Sequence, residues 1–170
     1  LHLNLKLPQP NGNAWLLFLS GSNTRGFLPY VPLPGAAYFF QSGRRLRGLV
    51  GLPFLFFQWQ PEESWSFSVS FVPLRTGEMK VAYGSPRSFQ PYALLNYRTR
   101  NYFLADRADS KERLFFEEGT VQGGFGVPIL RGLALDLAGG QSFDRRFFLA
   151  PKVTDRKEAP QIRPDHSFFA

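Results

Sequence analysis

The 170-residue chain contains no cysteine, only two histidines and a single methionine. Without cysteine there is no disulfide framework, no thiolate metal site and no cysteine nucleophile. His2 and His166 lie near opposite ends of the sequence, a poor supply for a histidine metal cluster or a Ser-His-Asp triad. No metal or cofactor is therefore expected. Long hydrophobic runs are also missing. No window reaches the ~18 consecutive apolar residues of a transmembrane helix, and the longest such stretch, Leu46 to Phe57, is broken by Arg47, Gly48, Gly51 and Pro53.

Helical periodicity is absent as well: no convincing stretch places apolar residues at i, i+3, i+4 and i+7. A Gly-x-Ser-x-Gly elbow and a P-loop are both missing, and Gly123-Gly124-Phe125-Gly126 lacks the spacing and the following helix of a dinucleotide site. Glu62-Glu63 and Glu117-Glu118 are the carboxylate pairs that invite a hydrolase reading. Adjacent residues of a strand point to opposite faces, so neither pair can work jointly as acid and base. The chain reads as non-enzymatic. An enzyme acting on lipid would require His2 and His166 to meet where the first and last strands join.

What the chain has in quantity is hydrophobic residues, 44%, and aromatic ones, 16%, with 16 Gly and 14 Pro. That hydrophobic share is near the ~45–50% of globular proteins, and the length suits one domain of about 100–200 residues. A net charge of +7 would suit an anionic partner such as nucleic acid, anionic lipid or lipopolysaccharide. The cations are scattered among 13 acids rather than gathered in a basic arm, so no nucleic-acid partner is expected.

Period-two alternation dominates. Ser64-Trp65-Ser66-Phe67-Ser68-Val69-Ser70-Phe71 alternates small polar with large apolar residues without a fault, and residues 1–7, 78–83 and 133–138 repeat the arrangement. These are strands with two unlike faces. The predicted strands are 1–7, 13–20, 34–41, 45–59, 64–73, 77–84, 88–99, 114–127, 132–140 and 161–169. Longer connections fall at 21–33, 100–113 and 141–160, the last two charge-rich and read as solvated loops. The chain opens at Leu1 inside an alternating pattern, with no initiator Met or signal peptide, from which an N-terminal segment before Leu1 is expected.

Successive strands with short turns form an up-and-down meander, which escapes exposed edges best by closing into a barrel. The expectation is one all-β domain spanning 1–170, an antiparallel up-and-down barrel of eight to ten strands. With apolar residues outward it crosses a membrane; with apolar residues inward it is a soluble lipocalin-like barrel for a lipophilic ligand. Three features favour the outward assignment. Ser64, Ser66, Ser68 and Ser70, with Gly119, Gly123, Gly124 and Gly126, suit a crowded interior. Aromatics gather toward strand ends, as in Phe56-Phe57-Gln58-Trp59 and Phe115-Phe116. Connections after residue 60 alternate roughly short and long, with the tight turn near Leu74 and the long 21–33 segment as exceptions.

On the outward model the interior receives Glu78, Lys80, Asn96, Arg98, Glu118, Gln122 and Asp136. So narrow a barrel is nearly filled by side chains, and the first reading of these residues is a structural charge network rather than a ligand site. A pore, if open, would prefer anions. Arg100, Asp106, Arg107, Asp109, Lys111 and Arg113 form a charged outer-loop cluster. It lacks the Asp-x-Asp-x-Asp-Gly order of a calcium loop and reads as hydrated or as a contact to lipopolysaccharide phosphates.

Residues 102–117, with Leu133-Ala134-Leu135-Asp136-Leu137-Ala138-Gly139-Gly140 and Phe143-Asp144-Arg145-Arg146-Phe147-Phe148, resemble a family of uncharacterised bacterial outer-membrane β-barrel proteins. Leu33-Pro34-Gly35, Gly51-Leu52-Pro53-Phe54 and Phe71-Val72-Pro73-Leu74-Arg75 resemble that family's earlier strands, so the likeness covers roughly residues 30–150. The Pro-rich tail and the basic charge depart from it. The resemblance implies a barrel in the outer membrane of a Gram-negative-type bacterium and carries no activity with it; the expected role of the chain, a small porin-like pore, an envelope-stabilising protein or an anchor, is read from its own residues. Its partners would be membrane lipid, lipopolysaccharide, the barrel-assembly machinery and an envelope protein anchored to it. The run Asp165-His166-Ser167-Phe168-Phe169-Ala170 is similar to the aromatic-ended last strand that the assembly machinery recognises, with a trailing Ala in place of the usual terminal Phe; the alternative is a frayed tail with two exposed aromatics.

Overall fold

In the computed structural model the described residues are all except Leu1, 23–27, Pro29, Arg75, 86–87, 106–110, 131–132 and Ala170. They form twelve strands and one short 3-10 turn, Val153–Lys157, with no α-helix among them. The strands are β1 (His2–Pro8), β2 (Ala14–Ser20), β3 (Leu33–Ser42), β4 (Leu46–Leu52), β5 (Leu55–Trp59), β6 (Trp65–Val72), β7 (Thr76–Tyr83), β8 (Gln90–Tyr102), β9 (Arg113–Leu130), β10 (Leu133–Ala150), β11 (Gln161–Ile162) and β12 (Ser167–Phe169). All belong to one antiparallel sheet in sequence order, with β12 also pairing β10.

The sheet is open, which corrects the expectation of a closed barrel of eight to ten strands. β1 pairs with β2 alone, and the outer edge of β10 is held in part by β11 and β12. Two expected strands are each divided. The run 45–59 turns at Pro53, where the Gly51 amide donates to the Phe54 carbonyl at 3.0 Å, because proline cannot donate to a ladder. Its apolar flanks hide that turn in the sequence. The tail 161–169 is interrupted by Arg163–His166, yet both pieces run antiparallel to β10.

The largest departure is β9 with β10, a hairpin of two 18-residue strands. Residues 141–150, expected as loop, are strand. Asp144 and Arg145 sit opposite Glu118 alone, between the pairs Phe143↔Gly119 and Arg146↔Glu117. Asp144 has φ +48°. This is a β-bulge, and its extra residue resets the alternation so that Phe148 joins the face of Phe115.

Chain direction brings the ends of β1, β3, β5, β7 and β9 and the starts of β2, β4, β6, β8 and β10 to one edge of the sheet. The ends of β2, β4, β6, β8 and β10, from which the longer connections leave, share the other edge with the turn at 53–54. The 21–33 segment thus stops being an exception.

Close backbone approach explains one glycine in particular. A Cβ on Gly51 would run into the Ala36 carbonyl oxygen and the Ala37 Cα across the β3–β4 ladder. Gly51→Ala is expected to destabilise the sheet by about 1–3 kcal/mol, read as a lower denaturant midpoint. An unchanged midpoint would show that the two strands do not approach this closely.

Candidate functional site

Register assigns every side chain to one of two faces, because directly paired residues share a face. On one lie Leu3, Leu5 and Leu7, then Trp15 and Leu17, Val50, Leu55 and Trp59. It continues through Trp65, Phe67, Val69 and Phe71, Met79 and Tyr83, Leu95, Val121, and Leu135 and Leu137. This apolar face runs from β1 to β10 and gives way to Thr99, Glu117 and Arg146 toward the long-loop edge of β8–β10.

It is also the more exposed face. Met79 is 50% exposed, Leu95 47% and Val121 47%, whereas Lys80, Leu94 and Gln122 on the opposite face are half-buried and Asn96 is buried. Soluble domains show the reverse order, and contiguous apolar patches beyond a few hundred Å² mark surfaces that meet something other than water. The accessible surface, 11716 Å², exceeds the about 8,500 Å² expected of a compact monomer of this mass. Phe115 and Phe148 are the largest fully buried side chains among the described residues.

The three tryptophans occupy one edge of the apolar face. Trp15 packs on Tyr38 at 5.0 Å between ring centroids, Trp59 on Phe67 at 5.5 Å, and Trp65 on Tyr83 at 5.0 Å. All lie beside the short-turn edge, where β2 and β6 begin and β5 and β7 end. Such amphipathic rings suit a boundary between apolar and wet surroundings.

The seven residues expected inside a barrel share the charged face. Asn96 Nδ2 donates to Glu78 Oε2 at 3.1 Å, and Arg98 Nε donates to Asn96 Oδ1 at 3.1 Å. Lys80 Nζ stands 4.1 Å over the Tyr92 ring, whose hydroxyl donates to Asp136 Oδ1 at 2.7 Å. Glu118 lies 3.5 Å from Arg145 Nε, and Gln122 lines the same shallow cleft as Asn96 and Arg98. Tyr92 and Arg145 were missed in the sequence, Arg145 because it reads as loop. The same face turns apolar toward the N-terminus, with Phe18, Phe39, Leu49 and Phe56. Gly124 and Gly126 lie on the charged face, but Gly119 and Gly123 lie on the apolar one, which corrects their joint assignment to an interior.

The outer-loop cluster is not one unit. Arg100 belongs to β8, Lys111 is exposed, and Arg113 is buried with its guanidinium 4.4 Å over the Phe103 ring. Asp106, Arg107 and Asp109 lie outside the described residues. Arg113 pairs with Ala150 at the long-loop edge, where the strap 151–160 folds back over the apolar face. There Val153 caps Phe115, Phe148 and Ala150.

Glu117 and Glu118 do point to opposite faces. Glu117 is buried beneath the strap, accepting from Arg156 Nη1 at 3.0 Å and from the Tyr97 hydroxyl at 3.3 Å. That hydrogen bond, and the carboxylate's charge, hold the Arg156 guanidinium above its ordinary pKa. His166 Nδ1 lies 3.3 Å from the Ser142 carbonyl oxygen, while His2 is on β1, at the other side of the sheet. In the open sheet the two histidines therefore stand at opposite sides.

The arrangement defines a class in physical terms: an antiparallel meander with an exposed apolar face, an aromatic row along one edge of it, and a hydrogen-bonded charge network on the reverse. The chain matches no protein-family model, no curated protein and no solved structure.

Proposed function

We propose that this sheet is the wall of a bacterial outer-membrane β-barrel, its apolar face toward lipid and its charged face toward a polar interior. The observation that carries the reading is that the continuous apolar face is the exposed one. In hydrocarbon that face needs no cover, and the tryptophan row would sit at the headgroup level. The resemblance of residues 30–150 to outer-membrane barrel proteins supports the same reading.

An unpaired strand edge in lipid costs several kcal/mol for each unsatisfied group. β1 and β10 run in opposite directions, so antiparallel closure joins those two in a ten-stranded wall. Closure of β1 on β11 and β12 would be parallel. The role is non-enzymatic, a small anion-preferring pore or an anchor for an envelope partner. Lys6, Arg47, Lys80, Arg98 and Arg100 outnumber Glu78, Glu118 and Asp136 on the inward face. The long-loop edge, with Lys111 and Lys152, then meets lipopolysaccharide phosphates.

A second reading, a soluble barrel for a lipophilic ligand, draws on Phe18, Phe39, Leu49 and Phe56 on the charged face. Gel mobility separates the two. The membrane wall is expected in the outer-membrane fraction, and its detergent-extracted form should migrate differently before and after boiling. A protein that stays soluble without detergent and shows one mobility would overturn the membrane reading and turn attention to those four residues.

A further inference from the structure

We infer that the β3–β4 turn builds a binding site for phosphate groups. Across β3, β4 and β5 the residues Gln41, Arg47 and Gln58 stand in one row on the charged face. Arg47 Nε donates to Gln58 Oε1 at 2.7 Å, which fixes the direction of the guanidinium. The turn Gly43–Arg45 then bends over the end of that row. Gly43 has φ +61°, a left-handed conformation that glycine adopts without strain. The Gln60 amide donates to the Arg45 carbonyl at 2.7 Å and ties the next turn to this one.

The result is a cleft of about 300 Å³ lined by Arg44, Arg45 and Arg47 with Gln41, Gln58 and Gln60. No carboxylate lines it, and none of the ion pairs among the described residues uses any of these three arginines. Elsewhere on the charged face Arg145 lies against Glu118, Arg98 donates to Asn96 and Lys80 stands over Tyr92. This cleft gathers three arginines with neutral amide donors, Arg47 held by Gln58 and Arg44 and Arg45 exposed on the turn.

Guanidinium forks match the tetrahedral oxygens of phosphate and bind them by paired, charge-assisted hydrogen bonds. The glutamine amides supply further donors, and the volume holds a phosphate or pyrophosphate group. The ligand chemistry is a phosphate ester or anhydride. It has two sources, a lipid headgroup at the short-turn rim or a phosphorylated solute on the charged face. The site stands on its own geometry and goes beyond the wall reading.

The test titrates the full-length chain with inorganic pyrophosphate at low ionic strength by calorimetry. In parallel, binding is measured to vesicles with and without phosphatidylglycerol. Arg44→Gln/Arg45→Gln is expected to weaken the response roughly tenfold or more, and added salt to weaken it further. Arg163→Gln, an exposed cation at the far side of the sheet, is expected to leave it unchanged. Both arginines lie in an exposed turn, and retained pyrophosphate-independent folding is checked by the circular dichroism of each variant. Loss of pyrophosphate binding in the double variant supports a solute site. Loss confined to phosphatidylglycerol vesicles supports a headgroup site. Absence of binding to both probes, or binding that the double variant retains, would overturn the proposal.

Discussion

Met79→Arg and Leu95→Arg are each expected to cost about 2–4 kcal/mol when the protein is folded in lipid, the penalty for a cation at the bilayer midplane. These two residues are cross-strand partners near the middle of β7 and β8, and both are about half exposed. In water such positions are forgiving, because surface substitutions usually change stability within about ±0.5 kcal/mol. The two readings of the sheet therefore differ by a factor of roughly 10 or more in the folding equilibrium. Depth gives a second comparison within the same strand. Tyr83 ends β7 beside Trp65, at the proposed headgroup level, and Tyr83→Arg should cost only about 0–1 kcal/mol. Urea titrations of the three variants in phospholipid vesicles read the profile directly. A flat profile near zero would show that the apolar face does not meet lipid.

Local alternation carried much of the fold. Residues 1–7, 13–20, 64–73 and 77–84 were legible because a half-buried strand repeats every second residue whatever it pairs with. The face assignment of Glu78, Lys80, Asn96 and Asp136 followed from the same parity. What was not legible depends on partners far along the chain. Asp144-Arg145-Arg146 reads as a solvated loop by composition, yet Arg146 clamps Asp144 with Nε 2.8 Å from Oδ1, and Arg145 reaches Glu118 across the ladder. Once the charges are paired, the segment can stay in a sheet, and a single sequence does not display the pairing. The turn at Pro53 was hidden for the opposite reason, since apolar residues on both sides continue the same pattern. Closure was inferred from the cost of exposed edges, but β11 and β12 occupy part of the edge that β1 would need.

The strap is the other element invisible to local pattern, because Glu117 and Arg156 stand 39 residues apart. Arg156→Ala is expected to destabilise the strap by about 2–3 kcal/mol. Removing one partner of a buried ion pair typically costs about 3–5 kcal/mol, and the partial exposure of Arg156, 37% for its side chain against 4% for Glu117, trims that figure. The Glu117 carboxylate would keep the Tyr97 hydroxyl as its remaining partner, beneath a strap whose Val153 covers Phe115 and Phe148. Glu117→Gln should cost less, about 1 kcal/mol, because the guanidinium left behind is half in water. The double variant Glu117→Gln/Arg156→Ala should recover most of the loss, the non-additivity expected of groups in contact. Trypsin provides the readout at Lys152, just outside the 3-10 turn. A strap weakened by about 2 kcal/mol opens roughly 30-fold more often, and cleavage should accelerate to match when opening is fast relative to proteolysis. Equal cleavage rates in wild type and Arg156→Ala would mean that packing of Val153, and not the ion pair, holds the strap on the sheet.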